Sequence, residues 1–222
     1  MKAGFFVAGT DTGVGKTAFS AALLRSFAAA GLRTAGMKPV AAGCRDGRND
    51  DVEALIAASS AGIDRGLVCP YLFEPPIAPH IAAREAGVRI DLAVIERAFA
   101  ALSDHFDVIV VEGVGGFRVP LNEREDAAGM AKRLGLPVIL VVGLRLGCLN
   151  HALLTAEAIE AEGLKLAGWV ANRIDPGMAR AEENIQALRE RLRAPLIADI
   201  PFGAASGYPV ALERLWPGRG LP

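Results

Sequence analysis

Short, nearly continuous apolar runs alternate with longer amphipathic stretches along most of the chain. Residues 5–8, 34–37, 106–112, 138–142, 167–172 and 195–198 are of strand length and largely uncharged, as expected of strands buried on both faces in a parallel sheet. Between them, residues 18–30, 52–61, 90–102, 125–134, 148–161 and 178–192 carry apolar side chains at helical spacing; Leu92, Ile95, Phe99 and Leu102 share one face. Strand and helix in alternation predict an α/β fold. The expected form is a single domain over residues 1–222, a doubly wound and mostly parallel sheet with helices on both faces. Loops at the carboxyl edge of such a sheet build its site. Residues 41–50 read as one of these loops, with Asp50 or Asp51 capping the helix that follows. Prolines 70, 75, 76 and 79 reduce residues 62–87 to a connector ending in a short helix, and the glycine- and proline-rich 203–222 reads as partly irregular.

The pattern gains chemistry at Gly9–Thr17, Gly-Thr-Asp-Thr-Gly-Val-Gly-Lys-Thr, which lies between the first strand and the first helix. A glycine-rich turn there aims backbone N–H groups, here those of Gly13, Val14, Gly15, Lys16, Thr17 and Ala18, at an anion beside the positive end of the helix dipole. Lys16 reaches the outer phosphates of a nucleotide, and the Thr17 hydroxyl offers itself to Mg2+. The segment matches the phosphate-binding pattern G-x-x-x-x-G-K-[ST] except at its first glycine, where Thr10 stands and Gly9 precedes it. The expected fold is therefore P-loop NTPase-like.

Composition narrows the partners. A formal net charge of −1 and the lack of a basic run argue against a nucleic-acid surface. Cys44, Cys69 and Cys148 are odd in number and form no C-x-x-C pair, so neither a disulfide framework nor a zinc site is expected. No signal-like leader and no apolar run of membrane-spanning length occur, which points to a cytoplasmic protein.

Phosphates need a counter-ion, and Mg2+ takes oxygen ligands. Thr17, Glu112 and Asp51 are the candidates. Glu112 ends the run Val108-Ile109-Val110-Val111 and precedes Gly113-Val114-Gly115-Gly116, where missing side chains let a ligand approach the backbone. Asp51 already has an adequate structural reason as a cap. Lys38 follows a strand at the same edge, either as a surface cation or as part of the site. Asn172 stands at a strand end, where nucleotide bases are commonly read; a turn-forming role is the alternative. His80 and His151 lack metal-ligand partners at helical spacing, and no Ser-His-Asp arrangement or G-x-S-x-G elbow is present.

An ordered set of segments carries a family resemblance: GTDTGVGKT, GMKPVAAG (36–43), RNDD (48–51), PYLFEPPIAPHIAA (70–83), VEGVGG (111–116), LPVILVVGLRLGCLNHALLT (136–155) and GWVAN (168–172). Together they closely resemble the dethiobiotin synthetases. The resemblance implies closure of the ureido ring of dethiobiotin from 7,8-diaminopelargonic acid, CO2 and ATP, with Mg2+, in a homodimer. It assigns phosphates and Mg2+ to Lys16 and Thr17, and the metal and substrate surroundings to Asp51 and Glu112. Lys38 would stabilise the carbamate and the transferring phosphoryl oxygens, and Thr12 would line the diamine. Gly147, Cys148 and Asn150 would receive the substrate carboxylate across the dimer interface. Asn172 and Pro201-Phe202-Gly203 would contact adenine.

Three positions depart from the family's pattern: Ala42 where serine is frequent, Gly13 where glutamate is frequent, and Arg173 where aspartate is expected. The last creates Asn172-Arg173-Ile174-Asp175, similar to a guanine-reading sequence, so ATP versus GTP stays open at this point. A rival reading is a partition-type or other switch ATPase. Those carry a signature lysine where this chain has Asp11. Related amide-forming ligases carry an added glutaminase domain for which 222 residues leave no room, and a nucleotide-binding module without catalysis is the third alternative.

Overall fold

The computed structural model describes residues 1, 3–204 and 207–216. Strand β1 (Ala3–Gly9) lies inside a six-stranded sheet ordered β2-β5-β1-β6-β7-β8. Its other members are β2 (Thr34–Met37), β5 (Val108–Glu112), β6 (Val138–Gly143), β7 (Leu166–Asn172) and β8 (Leu196–Ile200). Every pairing among them is parallel, so the chain must cross over through helices between strands.

Alternating side chains of β1 build two cores. Phe5 and Val7 face α1 (Lys16–Ala29) and α2 (Asp50–Ala58), joining Phe19, Leu23, Leu24, Phe27 and Leu55. Phe6 and Ala8 face the opposite layer of α5 (Leu92–Ser103), α6 (Ala127–Leu134), α7 (Cys148–Ala161) and α8 (Ala181–Arg191), which supply Ile95, Met130, Ile159 and Leu188. Helices therefore cover both faces, which is why the central strands have no polar face.

The sequence reading misplaced several local features. The expected loop at 41–50 begins as β3 (Val40–Ala42), and the connector at 62–87 contains α3 (Arg65–Val68), β4 (Tyr71–Phe73) and α4 (Pro79–Glu85). β3 and β4 pair in parallel as a second, two-stranded sheet. Three-residue strands have no usable periodicity, so this pairing left no trace in the pattern. The cap of α2 is Asn49, whose Oδ1 accepts from the N–H groups of Asp51 and Val52. Asp51 is thereby relieved of the capping role expected of it. At the other end, α9 (Leu212–Leu215) interrupts the expected irregular tail 203–222; of that stretch, residues 205–206 and 217–222 lie outside those described.

β1 is flanked by β5 on one side and β6 on the other. The chain leaves β1 toward β2, whereas β6, β7 and β8 extend the sheet the other way, so the carboxyl end of β1 is a topological switch point where a crevice forms. Val7 is in register with Glu112, and Gly9 with Val141. That register puts Gly9–Thr17 beside the ends of β5 and β6.

Candidate active site

Helix α1 is preceded by Gly15, which has φ +89° and gives it no side-chain cap. Its first turn holds no acidic residue either, so the amide end is left for an anion. A side chain at Gly15 would put Cβ 2.1 Å from Asn172 Nδ2, which itself donates to the Val14 carbonyl at 2.8 Å. The end of β7 thus buttresses the loop from behind. Gly15→Ala is expected to destabilise the protein by about 2–4 kcal/mol, combining left-handed strain with an orphaned buried carbonyl. Urea unfolding measures this; an unchanged midpoint would contradict the packing described.

In front of the loop lies a cavity of about 760 Å3. Thr12, Gly13, Gly15, Lys16 and Thr17 form one wall, with Lys38, Ala42, Asp51, Glu112, Val114 and Gly115 around it. Lys16 is buried, and its ammonium donates to the carbonyls of Asp11 at 2.9 Å and Gly115 at 2.7 Å. Burial, followed by the nearby charge of Lys38, lowers its pKa from the usual 10.5 to about 8.

Lys38 leaves the end of β2, next to β5, and meets two carboxylates. Its Nζ lies 2.6 Å from Glu112 Oε1 and 2.9 Å from Asp51 Oδ2. Burial alone would lower its pKa, but Glu112 and Asp51 outweigh it and raise it, so the ammonium stays charged. Asp51 shows the converse: burial raises its pKa, and the charge and hydrogen bond of Lys38 outweigh that and lower it. The Thr17 hydroxyl donates to Glu112 Oε1 at 2.8 Å. Glu112 is wholly buried, and its other oxygen, Oε2, has no hydrogen-bond partner among the described residues. A fully buried carboxylate oxygen without a partner is costly unless a ligand completes it. With the Thr17 hydroxyl and Asp51 alongside, the donor set is all oxygen and fits a hard divalent cation such as Mg2+.

A second cavity, about 310 Å3, is lined by Asn172, Arg173, Ile174 and the segment from Pro201 to Ala204. Phe202 is 58% exposed at its rim. Arg173 is gripped by both oxygens of Asp199 at 2.9 and 2.8 Å and by Glu182 at 2.6 Å. Asp175, the residue behind the guanine-like reading, accepts from the Gly177 N–H within its own turn and is absent from the cavity lining.

Gly147, Cys148 and Asn150 stand apart from both cavities, at the start of α7. Gly147 has φ +94° and, like Gly15, gives its helix no side-chain cap. The adjoining Leu146 is 95% exposed and Leu154, two turns on, 57%. Gly113 packs against Phe6, where a Cβ would come within 3.1 Å of the ring. Ala18 lies in the first turn of α1 and its carbonyl accepts from the Tyr208 hydroxyl at 3.1 Å.

Sequence reasoning missed the far wall of the first cavity, Pro76, Ile77, Ala78, Pro79 and Val119. A usable signal was present: Ile77 is an apolar residue between prolines, in a stretch that cannot bury it in a helix or strand, and it is 38% exposed. The pairing of Asp11 with Arg145 was missed as well. Nothing in the spacing links residues 134 positions apart.

Comparison with known proteins agrees with this construction. The septum site-determining protein MinD from Pyrococcus horikoshii, complexed with Mg-ADP, superposes with a TM-score of 0.57 at 18% identity, covering 90% of this chain and 82% of that one. Chloroplast FtsY from Physcomitrella patens gives 0.58 at 17% identity, covering 98% and 66%. At such identities these likenesses speak for the P-loop NTPase fold alone. A family model described as an AAA domain matches residues 3–209. The ATP-dependent dethiobiotin synthetase BioD of Nitrosospira multiformis is 56% identical over 202 residues, 91% of this chain and 89% of that protein. Its namesake in Aromatoleum aromaticum is 56% identical over 208 residues, covering 91% and 92%. Identity of that depth over about nine-tenths of both chains means that the chain belongs to the ATP-dependent dethiobiotin synthetase family.

Proposed function

We propose that the chain, acting as one domain in a cytoplasmic homodimer, uses ATP to carboxylate 7,8-diaminopelargonic acid with CO2 and close the product to dethiobiotin. The observation that carries this reading is the convergence of Lys16, Lys38, Thr17, Asp51 and Glu112 on one cavity beside an uncapped helix N-terminus. Phosphoryl transfer asks for positioning and charge neutralisation more than for a nucleophile, and the cavity supplies both.

One amine of the substrate takes up CO2 as a carbamate and loses a proton. A carbamate oxygen attacks the γ-phosphorus, and ADP leaves. The second amine then attacks the carbonyl carbon, expelling phosphate as the ring closes. Lys16 and the backbone amides of Gly13–Ala18 hold the phosphates, and Gly113, Val114 and Gly115 leave room at the end of β5. Lys38 opposes the charge shared by carbamate and γ-phosphoryl oxygens; Thr12 positions the diamine. Ala42 has no hydroxyl, so a hydrogen bond that serine would make falls to backbone or water. Thr17, Asp51 and Glu112 would hold Mg2+, which neutralises phosphate charge and orients the oxygens when bound. Since Asp175 is engaged in its own turn and the described lining of the smaller cavity includes no carboxylate to read a guanine edge, ATP is favoured over GTP. Asn172, Arg173 and Pro201-Phe202-Gly203 would surround the base. The substrate carboxylate would sit on the uncapped start of α7, at Gly147, Cys148 and Asn150, across an interface that covers Leu146 and Leu154.

A mixture of protein, diamine, bicarbonate, Mg2+ and either ATP or GTP tests the reading through phosphate release and a ureido product. Release without diamine would favour a switch ATPase. A pH dependence follows from Lys16. Its pKa near 8 means that it is half deprotonated at about that pH, and increasingly so above it, when the site holds no anion. Bound phosphates favour the ammonium, so binding takes up a proton there and weakens as pH rises. We expect nucleotide affinity to be flat below about pH 8 and to fall by up to tenfold per pH unit above it, toward the ordinary lysine value. Calorimetry in buffers of different ionisation enthalpy checks both slope and proton uptake; a flat profile to pH 10 contradicts it.

A further inference from the structure

We infer that Arg145, in the loop between β6 and α7, is a positioning residue for nucleotide binding: its guanidinium neutralises the Asp11 carboxylate on the lip of the phosphate loop. Asp11 is the node of that lip. Its carbonyl accepts from Lys16 Nζ at 2.9 Å, its Oδ1 accepts from the Thr12 N–H at 2.7 Å, and its Oδ2 meets Arg145 at 2.5 Å. Since Lys16 is the side chain that grips the outer phosphates, a carboxylate on the residue bonded to it stands near the same phosphates. Unbalanced, that carboxylate would repel them.

The pair is not explained by folding. Its side chains are 42% and 48% exposed, and an ion pair so open to water contributes at most about 1 kcal/mol to stability. Charge placement explains it better. Asp11 aligns the Thr12 amide and shapes the turn, and Arg145 removes the electrostatic penalty of having a carboxylate there. His151, one turn into α7, adds a weaker attraction to Asp11. The inference rests on the nucleotide half of the proposed function, not on the identity of the diamine.

The test is MgATP binding by isothermal titration calorimetry on the full chain without diamine, so it does not depend on turnover. Arg145→Met is expected to weaken binding roughly tenfold, the effect of one uncompensated charge near the phosphates in a partly wet site. Arg145→Lys, which keeps the charge, stays within about threefold of the parent on the same reasoning. The decisive variant is Arg145→Met combined with Asp11→Asn. Removing the second charge restores binding to within about threefold if neutralisation is the role. If Arg145 is only a structural brace, the double variant binds as weakly as Arg145→Met or worse, and that result overturns the inference. So does parental affinity in Arg145→Met. Should Arg145→Met fail to fold by its melting curve, Arg145→Gln is compared in the same way. A parent that binds MgATP yet makes no ureido product sinks the proposed reaction and leaves this test standing; normal turnover with no rescue sinks this inference alone.

Discussion

Replacing Lys38 with alanine lowers kcat by about 10³-fold or more, because the ammonium opposes charge that develops only as the phosphoryl group moves. The same change also destabilises the fold. Glu112 is fully buried and loses the cation 2.6 Å away, keeping only the Thr17 hydroxyl. Stranding a buried carboxylate in this way costs about 3–5 kcal/mol, unless it takes up a proton. Adding Glu112→Gln to Lys38→Ala isolates the stability effect, because it removes the stranded charge and returns stability toward the parent; the catalytic effect is read in Lys38→Ala alone, since Glu112 also serves the metal. Urea unfolding and steady-state kinetics read both. Near-parental turnover in Lys38→Ala would show that the lysine serves structure alone.

Lys16→Met predicts the opposite sign for stability. Its turnover and nucleotide affinity fall by about 10³-fold or more, since the charge that grips the phosphates is gone. Yet the folded protein holds Lys16 at a pKa near 8, below the 10.5 of an ordinary lysine. With the folded-state value depressed, the unfolded chain binds the proton more tightly; stability attributable to Lys16 rises as pH climbs from about 8 toward 10.5 and is lowest below that window. Removing the charge at pH 7 therefore raises stability, by about 1–3 kcal/mol after loss of the two carbonyl hydrogen bonds is set against it. A melting midpoint below the parent's would contradict this. Two lysines in one cavity, one tied to carboxylates and one to carbonyls, thus give opposite stability shifts and the same loss of function.

The contrast shows what the sequence could and could not disclose. Long apolar runs ending at Glu112 and Asn172 revealed strands and the edge they point to, because burial on both faces leaves little room for another reading. Gly9–Thr17 disclosed the phosphate loop through residue types that only such a turn needs together. Asp51 was ambiguous. Its place at a helix start suited a cap as well as a ligand, and only the structure assigns the cap to Asn49. The second sheet, the Ile77 wall and the Asp11–Arg145 pair arise from contacts between segments whose local patterns carry no mark of one another. Asn172 is a subtler case: at a strand end it reads as a base contact, whereas its amide nitrogen is bonded to the Val14 carbonyl, and the phosphate loop leans on it.

The most direct measurement of the central claim is a crystal structure with a non-hydrolysable ATP analogue, Mg2+ and 7,8-diaminopelargonic acid. The triphosphate is expected along residues 13–18, with Lys16 and Lys38 both within hydrogen-bond distance of the γ-phosphate end and the diamine facing them past Thr12. A phosphate loop left empty, or Lys38 turned away from the γ-phosphate, would contradict it.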